Sequence, residues 1–134
     1  MTPIDMSAYK DLYVETAREY IETLKKNLTL LNENTTNKEA IYEMFRSYHS
    51  LKSQSHAMGY MKTAEFCKLL EDYFHEINDG KKMYLTSSQP TILETINMIE
   101  QSVKSIEQNN SEMDFTNEIT NLYQKLNTSP QSPP

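Results

Sequence analysis

The sequence predicts an all-α fold: an antiparallel up-and-down bundle of four core helices followed by a fifth, C-terminal helix. Three observations carry that prediction. Apolar residues recur at spacings of three and four through most of the chain, the period of a single helix face. Only two glycines occur in 134 residues, too few for a fold of strands and tight turns, and strand-like alternation is absent. Leu, Glu, Lys, Met and Gln, which lose little side-chain freedom in a helix, are abundant instead.

The first helix is expected from about Asp5 to Leu31, started by Asp5 or Ser7 and carrying Tyr9, Leu12, Tyr13, Thr16, Tyr20, Leu24 and Leu28 on its apolar face. The polar stretch NENTTNK ends it. A second helix begins between Thr36 and Lys38, carries Ile41, Met44, Phe45, Tyr48, Leu51, Ser55 and Met58, and breaks at Gly59. The third, Lys62 to Asn78, has Phe66, Leu69, Leu70, Tyr73, Phe74 and Ile77 as its apolar face, and Asn78-Asp79-Gly80 stops it. Pro90 suits the first turn of a fourth helix, whose face is Ile92, Leu93, Ile96, Ile99, Val103 and Ile106. A shorter fifth helix follows, with Phe115, Ile119, Leu122, Tyr123 and Leu126. Residues 1–127 therefore read as one domain. Residues 128–134, with three prolines in the last five positions, read as the start of a Pro/Ser-rich linker.

Composition removes several classes of function. A net charge of −6 argues against nucleic acid, which requires a basic stripe. No apolar run approaches the roughly 20 residues of a bilayer span, and the N-terminus lacks a signal peptide's basic and apolar regions. A lone cysteine, Cys67, fits a reducing compartment, so a cytoplasmic protein without direct membrane contact is expected. The N-x-S/T triplets at Asn27, Asn34, Asn109 and Asn127 are read as chance in an asparagine-rich chain.

The stretch HSLKSQSHAMGY, residues 49–60, is unusual inside a helical pattern because it gathers polar and small residues with two histidines. At about 100° per residue, His49 falls about 40° beyond the edge of the second helix's apolar arc. It stands at the shoulder of the helix, its base packed and its ring edge open. His56 lies on the same stripe, and Lys52, at i+3, shares the shoulder. Glu71 lies just off the apolar arc of the third helix. If those two helices run antiparallel about Gly59, His49 (ten residues before it) and Glu71 (twelve after it) stand at nearly the same height.

That juxtaposition has a chemical use. Neutral imidazole has one bare nitrogen, and only that one is nucleophilic. A carboxylate accepting from Nδ1–H fixes the tautomer with Nε2 bare, and it stabilises positive charge that develops on the ring. A lysine nearby offsets the charge of phosphoryl oxygens. No glycine-rich loop offers a nucleotide site, so the chain can accept and pass on a phosphoryl group but not fetch one alone. No metal site is expected, because a His49–His56 pair lacks further ligands. His75 near a helix C-terminus is explained by the helix dipole.

FRSYHSLKSQSHAMGYMKTAEFCKLLEDYF, residues 45–74, resembles the histidine phosphotransfer (HPt) domain family, in particular the N-terminal modules of CheA-type chemotaxis kinases. His49, Lys52, the small stretch Ser53 to Ala57 and Gly59-Tyr60 match that pattern in order, and YKDLYVETAREYIETLKKNL resembles its first helix. The sequence departs from the pattern at Ser53, usually Gly, at His56, usually small, and at Lys68, where a second histidine often sits. The resemblance implies that His49 accepts the γ-phosphoryl of ATP, with Lys52 and Glu71 assisting. Ser53, His56, Gly59 and Lys68 would shape the partner and packing surface. It implies no cofactor in this domain, ATP and Mg²⁺ being held by the kinase catalytic domain and the response regulator. The partners it implies are that catalytic domain of the same protein and a CheY- or CheB-like regulator, with the isolated domain monomeric. A free-standing phosphorelay protein and a non-catalytic helical interaction module remain the alternatives.

Overall fold

A computed structural model describes residues 6–127, so the Asp5 start signal and the 128–134 linker segment lie outside the described residues. The described residues form five α-helices: α1 (Met6–Glu33), α2 (Lys38–Ala57), α3 (Met61–Asn78), α4 (Gln89–Asn109) and α5 (Thr116–Asn127), with a 3-10 turn at Thr86–Ser88. No strand occurs among the described residues. No helix among them is long and apolar enough to cross a membrane.

The helix ends follow from local chemistry. Asn37 caps α2, its side chain accepting from Ala40 N–H at 3.0 Å. Gly59 adopts φ +82°, which lets Gly59 N–H reach His56 C=O (3.0 Å) and Tyr60 N–H reach Ser55 C=O (2.8 Å). This is a Schellman motif, and it turns the chain from α2 into α3. Gly80, at φ +79°, repeats the arrangement after α3, with Gly80 N–H on Ile77 C=O and Lys81 N–H on Glu76 C=O. Asn110, left-handed at φ 56°, ends α4 without a glycine. Pro90 lies in the first turn of α4.

α1 packs on α2 and α4, and α2 packs along α3. α3 and α4 approach less closely, and α5 lies over that gap, with Phe115 stacked on Phe66 (centroids 4.4 Å apart) and Leu122 and Leu126 buried. Tyr48, Phe74 and Tyr84 form an aromatic ladder through the core, at 5.7 and 6.1 Å, and Tyr48 Oη meets Thr95 Oγ1 at 3.3 Å.

One expected face is corrected. α1 buries Tyr13, Val14, Ala17, Ile21, Leu24, Leu28 and Leu31, while Tyr9 and Leu12 are 54% and 60% exposed. Ala17, weakly apolar but wholly buried, marks the true centre of the stripe. Leu12, five residues away and so about 140° round the helix, points away from it. Leu93 and Tyr123, also expected on apolar faces, lie at the surface.

Candidate functional site

α2 carries His49 where the helical wheel placed it. Its side chain is 53% exposed, while Ser47 and Tyr48, just before it, are wholly buried. On α3, Glu71 is buried, 7% exposed, and so lies deeper than the edge position expected. The Schellman turn at Gly59 sets the register of the two helices, and the two side chains meet: Glu71 Oε2 lies 2.5 Å from His49 Nδ1. Lys52 Nζ lies 2.7 Å from Glu71 Oε1. That oxygen has almost no surface open to solvent, so the Lys52 ammonium is what balances its charge.

The electrostatics follow. Burial alone pushes the Glu71 carboxyl upward, but the hydrogen bonds to Lys52 and His49 outweigh it and hold the group below its ordinary value. Glu71 is therefore ionised at neutral pH and can only accept. Nδ1 of a neutral His49 must then carry the ring proton, and Nε2 is left as a bare base on the exposed side. One turn before Glu71, Cys67 is wholly buried; burial first, then the Glu71 charge, pushes its thiol up and keeps it protonated.

His49, Lys52 and Glu71 are thus brought together. Lys68 is not: its ammonium bonds Asp72 at 2.9 Å, one turn along α3, as a pair facing solvent. Ser53, His56 and Gly59 are exposed beyond His49 on α2 and in its closing turn. Two contacts went unrecognised in the sequence, one made by Phe45 and one by Glu112. Phe45, read as core, is only partly buried and lies against the His49 ring. Glu112, in the α4–α5 connection, accepts from Thr63 N–H and Thr63 Oγ1–H, both at 2.7 Å, and from Lys62 N–H at 3.3 Å. It caps α3, whose own N-terminal residue Tyr60 makes no side-chain cap. A glutamate in a polar loop carries no local signal for a contact 49 positions away in the chain.

The Hpt domain family profile matches residues 8–127, which contain the whole His49 site. The chain belongs to the Hpt domain family. Among its relatives, the chemotaxis protein CheA of Bacillus subtilis (strain 168) is 34% identical over 104 residues, 77% of this chain but 15% of that protein. The Hpt chain thus spans a small part of the relatives it matches. The solved CheA phosphotransferase domain from Thermotoga maritima aligns with a TM-score of 0.74 at 26% identity, covering 78% of this chain and 100% of that one. A solution structure of a CheA histidine phosphotransfer domain aligns with a TM-score of 0.83 over 97% of this chain and 99% of that one. At 24% identity, that second likeness speaks for the fold alone.

Proposed function

We propose that this Hpt domain serves a CheA-type chemotaxis kinase, and that His49 is its phosphoryl acceptor. The observation that carries the reading is the buried Glu71 carboxylate on Nδ1, which leaves Nε2 bare on the exposed edge of the ring. Nε2 attacks the γ-phosphorus of ATP held, with Mg²⁺, by the kinase's catalytic domain. The N–P bond forms as the bond from γ-phosphorus to the bridging oxygen breaks, and that oxygen leaves on ADP. Glu71 offsets the positive charge growing on the ring and then accepts the Nδ1 proton's hydrogen bond in the phosphorylated state. Lys52, released in part from Glu71, offsets the phosphoryl oxygens. The group then passes to an aspartate of a CheY- or CheB-like response regulator, the N–P bond breaking as the acyl phosphate O–P bond forms. Ser53, His56 and Gly59, exposed farther along α2 and in its closing turn, would form part of the surface a partner meets.

Incubation with ATP and a CheA-type kinase fragment lacking its own phosphotransfer domain tests this. Intact-mass analysis should find one added phosphate, labile in acid and stable in base, in the wild type and none in His49→Gln. Because His49 is half exposed, that variant should fold normally. Phosphate retained by the variant, or wild type left unmodified by several such kinases, would sink the assignment.

A further inference from the structure

The hydrogen bond to Glu71 fixes one atom of the His49 ring but not its plane, since the imidazole can still pivot about the Nδ1···Oε2 line. What limits that pivot is on α2 itself. Phe45, one turn before His49, has its ring centroid 6.3 Å from that of the imidazole, with 35° between the planes. This lies within the range in which aromatic rings attract in tilted and offset arrangements. Phe45 is in turn held from α3. His75, one turn beyond Glu71, lies 5.3 Å from the same ring at 38°, and it is anchored beside Asp79, 3.4 Å from its Nε2. Partial burial against the core holds the base of the Phe45 side chain. α2 and α3 thus grip the acceptor ring twice, through the carboxylate at Nδ1 and through the Phe45 ring beside it.

We infer that Phe45 is a positioning residue for phosphoryl transfer at His49: it restricts the pivot of the imidazole about its Glu71 hydrogen bond and places an aromatic ring beside the charge that forms there. The inference rests on His49 being the acceptor. When Nε2 is phosphorylated with the proton still on Nδ1, the imidazole is cationic, and a neighbouring aromatic ring attracts it. The effect belongs to the reacting state, so it appears in kcat and not in KM.

The test compares the wild-type domain with Phe45→Leu, which fills much of the space without a π-face, and with Phe45→Tyr, which restores the ring. Two quantities are measured: kcat and KM for phosphoryl uptake from a CheA-type kinase fragment, and the ¹⁵N shifts of the His49 ring in the free domain. Phe45→Leu should lose about three- to tenfold in kcat, the range one aromatic contact supplies, with KM unchanged. Its Nδ1 and Nε2 shifts should move toward each other, because the freely pivoting ring also samples orientations that bend the Glu71 hydrogen bond and fix the tautomer less firmly. Phe45→Tyr should restore both. Phe45→Met replaces the leucine variant should that one unfold. Wild-type kcat and ring shifts in the leucine or methionine variant, or a tyrosine variant no better than they are, would overturn the inference. If even the wild type takes no phosphate, the proposed function fails while the ring shifts alone still decide whether Phe45 holds His49.

Discussion

Two glutamates act at α3, one of its own residues and one from outside it, and they do different things. Glu71 faces α2 and spends its oxygens on two side chains, the His49 ring and the Lys52 ammonium. Glu112 reaches in from the α4–α5 connection and spends its oxygens on backbone N–H groups and the Thr63 hydroxyl. The same carboxylate chemistry gives a half-exposed, oriented imidazole at one seam and a closed structural joint at the other. The difference lies in what stands behind the bonded group. Behind the His49 Nδ1–H is a second nitrogen open to solvent. Behind the Thr63 N–H is the helix itself, and Thr63 Oγ1 is further tied to Ser102 Oγ at 3.0 Å. A seam becomes a site when one of its bonded groups keeps a reactive atom on the outside.

The closed seam is broken most severely at Phe66, wholly buried and stacked on Phe115. Phe66→Ala should cost about 3–5 kcal/mol of unfolding free energy, because the ring's burial is lost and a cavity opens beneath α5. Urea unfolding followed by circular dichroism checks this. The rate of phosphorylation of the fraction still folded should change far less, since Phe66 touches neither His49 nor Lys52. A parallel fall in both would mean that α5 and the acceptor site are coupled.

The open seam is broken at Glu71. In Glu71→Gln the amide can donate as well as accept, so the His49 tautomer is no longer imposed. Phosphoryl uptake should fall by roughly ten- to a hundredfold, as when the orienting partner of a ligating or nucleophilic histidine is removed. The same variant has a signature in acid. The Glu71 carboxyl is held below its ordinary value of 4.5, so the folded state takes up this proton less readily than the unfolded chain. The stability it contributes is therefore present in full above that value and lost as pH falls through the lower folded pKa. Wild-type stability should decline more steeply below about pH 4.5 than that of Glu71→Gln, read as urea midpoints from pH 7 to pH 3. Superimposable acid limbs would show that Glu71 is not the depressed group.

Much of the open seam was legible in the sequence, because its logic is local and periodic. The three-and-four spacing set His49 at the shoulder of α2, and counting outward from Gly59 set Glu71 level with it. Both depend only on helical rise and on a glycine able to adopt positive φ. The depth of Glu71 was not legible, since a charged residue at the edge of an apolar arc reads as surface until its cationic partner is seen. The α1 face was misread around Tyr9 and Leu12, because their bulk outweighed Ala17, a small residue that lets neighbouring helices approach. Lys68, read as a surface position, does lie at the surface, where Asp72 at i+4 on its own helix is its partner. The Phe45–His75 and Thr63–Glu112 contacts cross between elements, and no periodicity reports them.

The smallest break sharpens the contrast between the two glutamates. Glu112→Gln keeps an acceptor for one α3 N–H but loses the charge that favours the positive end of the helix dipole, and Glu112→Ala loses the cap altogether. Unfolding free energy should fall by a few tenths of a kcal/mol in the first and by about 1 kcal/mol in the second. Thermal melts at neutral pH separate the two. Neither variant should slow phosphoryl uptake at His49, because the Gly59 turn sets the register of α2 against α3 without help from Glu112. A loss of rate in Glu112→Ala out of proportion to its stability would show that the α3 cap also holds Glu71 in place, and the two seams would then be one device.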